Sequence, residues 1–545
     1  ITDKDRFAFM YGRGSDRLTR PLVRDTDADG ARVLRPASWP EAIDVAVRGL
    51  QAALRPSIDP EAPASTVPAA PGSRIGVLTG GRLTLEDAYG YGKFARAVLG
   101  TNNIDFRSRP HSAEEAEFLA HAVAGTGLGV TYADLERAKR VLLVALEPEE
   151  EAGAIFLRLR KARRKHGLQV ATVAPYLSNG SRKLNATLIP TVPGAEATAL
   201  QDLGQLTPDA DTVILVGERA ALASGTLTAV TALVERTGAR LAWVPRRAGD
   251  RGAVEAGCLP NLLPGGRPVD DPSARVDVAA TWGSGSLSAA PGRDADEMLL
   301  GAGDDELGAL IVAGVDPADL LDPAAALEGL ENVGFVISLE TRATAVTERA
   351  DVVFPVSLIE ERTGTFLDWE GRDRAFDAVF AKPSSMSDLR VLAALADGLG
   401  RPLDLRTPTQ AKAELAELGT WSGRRAAAPV TGAGAPAAPD DGQVLLATWR
   451  MHLDDSSAMA NEPYLLDTAR PPVAVLSPDT AAAFGIDGRV TVSNDHGWIT
   501  LPVELSADMV PGVVWLATRP RSHNVAVHLA AAAGDAVRIS APEVL

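Results

Sequence analysis

The segment FRSRPHS at 106–112 crowds Arg107, Arg109 and His111 into five positions, directly after a Gly100-Thr101-Asn102-Asn103 turn. Guanidinium forks beside an imidazole suit a phosphate-bearing ligand, because planar N–H pairs match the oxygens of an oxyanion. The same side chains suit an ion-pair cluster with Glu114, Glu115 and Glu117 just downstream, and an acidic run this close favours that second reading. TGGRL at 79–83 is a further candidate: its glycines let backbone N–H groups approach an anion, or simply let the chain leave a strand. GCLPNLLPGGRP at 257–268 carries the lone cysteine, Cys258, and a single cysteine in an apolar setting behaves as a small hydrophobe more often than as a nucleophile. The histidines at 111, 121, 166, 452, 496, 523 and 528 never pair at i+3 or i+4, so no helical metal motif arises. The P-loop, zincin and nucleophile-elbow patterns are absent.

These residues need elements to hold them. Continuous apolar runs at 74–80, 140–148, 169–175, 211–217, 239–245, 308–317, 333–340 and 350–356 read as strands covered on both faces of a parallel sheet. Amphipathic stretches lie between them. In 83–100, Leu85, Ala88, Phe94, Ala95 and Val98 share a helical face and Gly100 suits the C-terminal cap; 152–167 is a basic helix ending at Gly167. Strand–helix alternation predicts doubly wound α/β domains. Residues 489–505, 509–517 and 535–540 instead alternate apolar with polar and predict a small C-terminal β-barrel. Two Pro/Ala-rich stretches, 52–73 and 424–442, read as an exposed insert and a solvated linker.

Composition bounds the function. A chain of 545 residues exceeds one hydrophobic core. With 54 Lys+Arg against 71 Asp+Glu the net charge is −17, which argues against non-specific binding to nucleic acid or acidic membrane. One cysteine excludes a disulfide framework and any iron–sulfur cluster built from these residues alone. No apolar run is long enough to span a bilayer, so direct membrane insertion is not expected. The chain begins at Ile1, which suggests that an N-terminal part of a longer protein precedes it.

Several segments resemble the molybdopterin oxidoreductase superfamily. KFARAVLGTNNID at 93–105 is similar to the segment that precedes the metal-ligating cysteine or selenocysteine in its catalytic members. DRLTRPLVRD at 16–25, ASWPEAI at 37–43 and ADVVFPVSLIEERTGTFLDWEGRDRAF at 350–376 resemble its entry and a late strand–loop signature; 461–488 and 513–524 resemble its dinucleotide-binding barrel. Within it, DKDRFAF at 3–9, GAVEAGCLPNLLPGGRP at 252–268 and GTFLDWEGR at 364–372 resemble the large iron–sulfur subunit of proton-translocating NADH:quinone oxidoreductase, respiratory complex I.

The resemblance implies a fold of interleaved doubly wound sheets plus a C-terminal barrel of six or seven strands. It implies an N-terminal segment at 1–35, an α/β domain at 36–190 continued at 330–423, an inserted α/β domain at 191–329, a linker at 424–442 and a barrel at 443–545. Where catalytic relatives place a thiolate or selenolate after the TNN-x-D element, this chain reads RSRPHS, and an extra cluster's last cysteine is replaced by Thr2. The expectation is therefore a body with no catalytic residue, metal or cofactor of its own, in which Arg107, Arg109 and His111 line a vestigial cleft. Iron–sulfur clusters would lie in a preceding region and FMN in a partner subunit. The implied partners are the flavin-, iron–sulfur- and quinone-site-bearing subunits of the peripheral arm, at the cytoplasmic face of the membrane. An active molybdenum or tungsten pterin enzyme, such as a formate dehydrogenase, and a vestigial nucleotide-binding scaffold remain as alternatives.

Overall fold

The computed structural model describes residues 2–27, 29–55, 72–301, 307–380 and 385–542. Most of the 52–73 insert, positions 56–71, lies outside them. Two sheets and a barrel organise the chain. The larger sheet has seven strands in the order Arg32–Pro36, Leu22–Thr26, Val352–Pro355, Val336–Glu340, Ala309–Ala313, Ile75–Thr79 and Ile104–Asp105. Its five last-named members run parallel, while the N-terminal hairpin 22–36 adds antiparallel at one edge. The second sheet has five parallel strands, Thr187–Pro190, Gln169–Ala174, Arg140–Val144, Thr212–Gly217 and Arg240–Val244. In chain order that is third-second-first-fourth-fifth, with the reversal beside the first strand.

Each apolar run expected as a strand forms one, because burial on both faces demands apolar side chains at successive positions. Ile75–Thr79, Ala309–Ala313 and Thr212–Gly217 are buried at every residue. The two helices end where glycine allows it: Gly100 (φ 78°) closes the Leu85–Leu99 segment and Gly167 (φ 77°) closes Gly153–His166.

The sheets divide the chain differently from the expected 36–190 and 191–329 split. Strands at 140–144, 169–174 and 187–190, assigned to the first domain, pair with 212–217 and 240–244. The strand at 309–313, assigned to the insert, lies between 75–79 and 336–340. A buried apolar run announces a strand without saying which neighbour it will choose; the pairing is decided by helices packing over both faces.

The barrel is closed by six strands in the order Gln443–Trp449, Val513–Ala517, Ala474–Leu476, Trp498–Leu505, Arg489–Ser493 and Ala536–Ser540. It docks on the five-stranded domain through aromatic rings. Tyr176 stacks on Trp449 at 5.4 Å, and Trp449 meets Trp515 at 4.9 Å. The 424–442 segment has no regular secondary structure, as its composition predicts, but it is held against the body. Arg425 donates to the carbonyls of His121 (2.6 Å) and Ala124 (2.8 Å), and the Gly434 N–H donates to Ser224 O.

Candidate functional site

The loops leaving the C-terminal ends of both sheets' strands face one another around a cavity of about 1030 Å³, which the N-terminal segment and the barrel complete. Open α/β sheets present ligands at these strand ends. The large sheet contributes Arg82, Asp316, Asp319 and Thr341–Ala345; the smaller sheet contributes Glu150–Ile155 and Arg246–Arg247; the barrel contributes His452 and Arg519.

The 106–112 segment mostly turns away from this space. Arg107 is fully buried, with Nε and Nη2 on Asp105 at 3.0 and 2.7 Å and Nη1 on Ser112 O at 2.6 Å. Arg109 pairs with Glu115 at 2.6 Å and with Glu218 at 3.3 Å. His111 donates from Nδ1 to Arg109 O at 2.8 Å, and its Nε2 faces Asp294 at 3.5 Å. Burial and Arg107 push that imidazole's pKa down, but Asp294, Asp105 and Asp296 outweigh them and hold it above the ordinary value. Only Ser108 of the segment lines the large cavity, and Arg109 borders a smaller one beside it. Of the acidic neighbours, Glu115 takes Arg109, whereas Glu114 accepts from the N–H groups of Gly225 and Thr228 at the start of helix Thr226–Thr237. Glu117 is exposed.

The TNN turn is structural. Asn102 accepts from Arg96 Nε and donates to Ser288 O and Ala290 O, and Asn103 donates to Ser73 O and Ile75 O. The glycines of TGGRL serve close packing: a Cβ on Gly80 would stand 1.9 Å from Gly314 O, and one on Gly81 would run into the Arg247 side chain. Arg82 at the end of that loop donates to both oxygens of Asp388 at 3.0 and 2.8 Å. Asp388 also accepts from Tyr91 Oη and Arg362.

Every Lys and Arg lining the cavity, among the described residues, faces a carboxylate. Lys4 meets Asp454, Arg82 meets Asp388, Arg246 meets Glu218, Arg247 meets Asp319, Arg342 meets Asp16, Arg362 meets Asp87, and Arg519 meets Asp316 and Asp319. Asp319 and Asp454 are the hubs. Burial alone would raise the Asp319 carboxyl, yet Arg450, Arg247 and Arg519 hold it well below the usual carboxylate range; Arg450 and Lys4 do the same for Asp454. None of these hub residues stood out in the sequence. A usable signal was present: Arg246, Asp316, Arg450 and Arg519 each follow an apolar strand run, the place where α/β sheets set their functional side chains.

Along the chain, the molybdopterin oxidoreductase family model matches residues 17–397, and a molybdopterin dinucleotide binding domain matches 444–539. The chain belongs to the molybdopterin oxidoreductase family. It is 50% identical to the G subunit of the NADH-quinone oxidoreductase of Mycobacterium bovis over 99% of its own length and 66% of that protein. It is 45% identical to the corresponding G subunit of Streptomyces coelicolor over 99% of its length and 65% of that protein. The chain thus spans just under two thirds of these relatives. A putative formate dehydrogenase of Bacillus subtilis, YrhE, is 23% identical over 76% of the chain and 47% of that protein. The fold matches that of acetylene hydratase from Pelobacter acetylenicus with a TM-score of 0.62 at 14% identity, covering 99% of this chain and 94% of that one.

Membership of the molybdopterin oxidoreductase family raises the question of whether the cleft suits a metal–pterin dinucleotide. Its lining offers no cysteine. A soft metal wants a thiolate, and Cys258 is fully buried, donates from Sγ to Ala88 O at 3.2 Å and has its pKa pushed up to about 12 by burial. Among the described residues no group of three His, Cys, Asp or Glu could hold a metal ion. Phosphates entering the cavity would meet arginines already neutralised and the carboxylates that neutralise them. No helix among the described residues is long and apolar enough to cross a membrane.

Proposed function

We propose that this chain is the non-catalytic body of the G subunit, the large iron–sulfur subunit, of a bacterial proton-translocating NADH:quinone oxidoreductase. In that role it supports electron transfer from NADH towards quinone by anchoring a cluster-bearing region and shaping the peripheral arm, and it carries no redox centre of its own. Its partners are then the flavin-, iron–sulfur- and quinone-site-bearing subunits, with FMN and the clusters held outside these residues, at the cytoplasmic face of the membrane.

The observation that carries this reading is the self-neutralised cleft: the cations lining it are paired with the chain's own carboxylates, and no thiolate points into it. The likeness over 99% of the chain to the G subunits of Mycobacterium bovis and Streptomyces coelicolor supports it.

The test is recovery of the chromosomally tagged protein from solubilised membranes. Flavin-binding and quinone-site subunits, together with NADH:quinone activity, are expected in the eluate, with molybdenum and tungsten at trace level. Recovery free of those subunits, or one molybdenum or tungsten atom per chain, overturns the reading.

A further inference from the structure

Asp319 lies at the end of a short turn, Pro317–Asp319, that follows the strand Ala309–Ala313 of the large sheet. Three guanidinium groups from two other bodies converge on it. Arg247, from the loop after Arg240–Val244, reaches Oδ2 at 3.2 Å. Arg519, after the barrel strand Val513–Ala517, reaches Oδ1 at 2.6 Å, and Arg450, after the barrel strand Gln443–Trp449, also pairs with Oδ1. Arg450 is shared with Asp454, and Arg519 with Asp316. Arg247 makes its one ion pair among the described residues with Asp319, while also acting electrostatically on the buried Glu218 and Asp250, and its Nη1 is buried without a hydrogen-bond partner. Beside the carboxylate lies a small cavity of about 80 Å³, whose charged border is Arg109, Arg219, Arg247 and Arg450 with the carboxylates Asp319, Glu151 and Glu218, of which Glu151 is taken by Arg219 and Glu218 by Arg109. That volume exceeds the ~10–15 Å³ a single water needs, so it has room for a small oxyanion.

Three converging arginines repel one another unless an anion sits among them, and here the anion is covalently part of the chain. We propose that Asp319 is the built-in occupant of an arginine cage formed by Arg247, Arg450 and Arg519, and that the cage takes a free phosphate-class oxyanion once the carboxylate charge is removed. The carboxylate thereby locks the large-sheet domain, the five-stranded domain and the barrel together without a ligand. The charge that a phosphate would bring is supplied by the chain itself, and an external anion finds the position filled.

The experiment uses the full-length protein and Asp319→Asn, with thermal melting followed in sodium phosphate and in sodium chloride of equal ionic strength. The wild type is expected to melt at the same temperature in both salts. D319N is expected to melt lower in chloride and to gain about 2 °C or more on moving to 10 mM phosphate, because an anion that binds only the folded cage stabilises it by mass action. The double variant D319N/R247M, which removes one cation with the carboxylate, is expected to lose the phosphate response. A D319N melt equal to the wild type, a phosphate shift no larger than the chloride control, or an equal shift in the wild type overturns the proposal. If D319N does not accumulate as folded protein, D319N/R247M must accumulate and melt cooperatively; equal failure of both overturns it too.

Discussion

Arg107 and Asp105 face each other two residues apart, neither side chain exposed, with two parallel N–H donors of the guanidinium on the two carboxylate oxygens. Asp105 also accepts from the N–H groups of Arg107 and, from the chain 190 residues on, Ala295. The arginine that looks most like a ligand-binding group therefore neutralises the buried carboxylate by which the last strand of the large sheet holds the start of helix Ala295–Leu300. Arg107→Met is expected to lower stability by about 3 kcal/mol, since it strands a buried carboxylate. The companion D105N/R107M, which leaves no charge behind, should recover much of the loss. Urea denaturation measures both; an R107M midpoint equal to the wild type would show that the pair is not what holds this corner.

Asp250 opens helix Asp250–Glu255 fully buried, with neither carboxylate oxygen hydrogen-bonded. Burial pushes its pKa up to about 7, against the pull of Arg247 and Arg109. A folded pKa above the unfolded one means the protonated form is favoured on folding. Stability from this group is then complete below about pH 4, declines as pH rises towards 7, and stays low beyond. Asp250→Asn is expected to match the wild type near pH 4 and to exceed it by up to about 4 kcal/mol at pH 8, at 1.36 kcal/mol per pKa unit. Denaturation curves at both pH values check the sign, and a gain confined to acid would contradict it.

Arg425 anchors the start of the 424–442 segment on the carbonyls that close the Leu119–Val123 turn. Arg425→Ala is expected to cost about 1–2 kcal/mol through the lost charge-assisted hydrogen bonds. Limited proteolysis should then cut within 424–442 faster, while cleavage elsewhere is unchanged. An unaltered cleavage pattern would mean that the contacts at Thr431 and Gly434 suffice.

Cys258 sits beneath the same corner as Arg107: its carbonyl accepts from Phe106 N–H and its thiol, raised to about 12, is sealed from solvent. A thiol-specific chromogenic reagent at pH 8 is expected to find no reactive sulfur in the native chain and one after denaturation. Rapid native labelling would place the sulfur in an open path rather than in the core.

Local signals were legible in the linear chain. Apolar runs such as RIGVLTG and DTVILVG announce strands, and Gly100 and Gly167 announce helix ends, because periodicity and caps act over a few neighbouring residues. The missing thiolate in RSRPHS is likewise a matter of residue type, readable without coordinates. Partner choice was not legible. Which sheet takes the strand at 140–144 or at 309–313 depends on pairing across tens to hundreds of residues. Whether Arg107 points to a ligand or to Asp105 depends on which way its strand faces once the sheet is assembled. The cleft's hubs are the extreme case: Lys4 and Asp454 are 450 positions apart, and Asp319 and Arg519 are 200 apart. No local rule links such residues, because a charge chooses its partner only after packing has removed both from water and left each other as the nearest compensation.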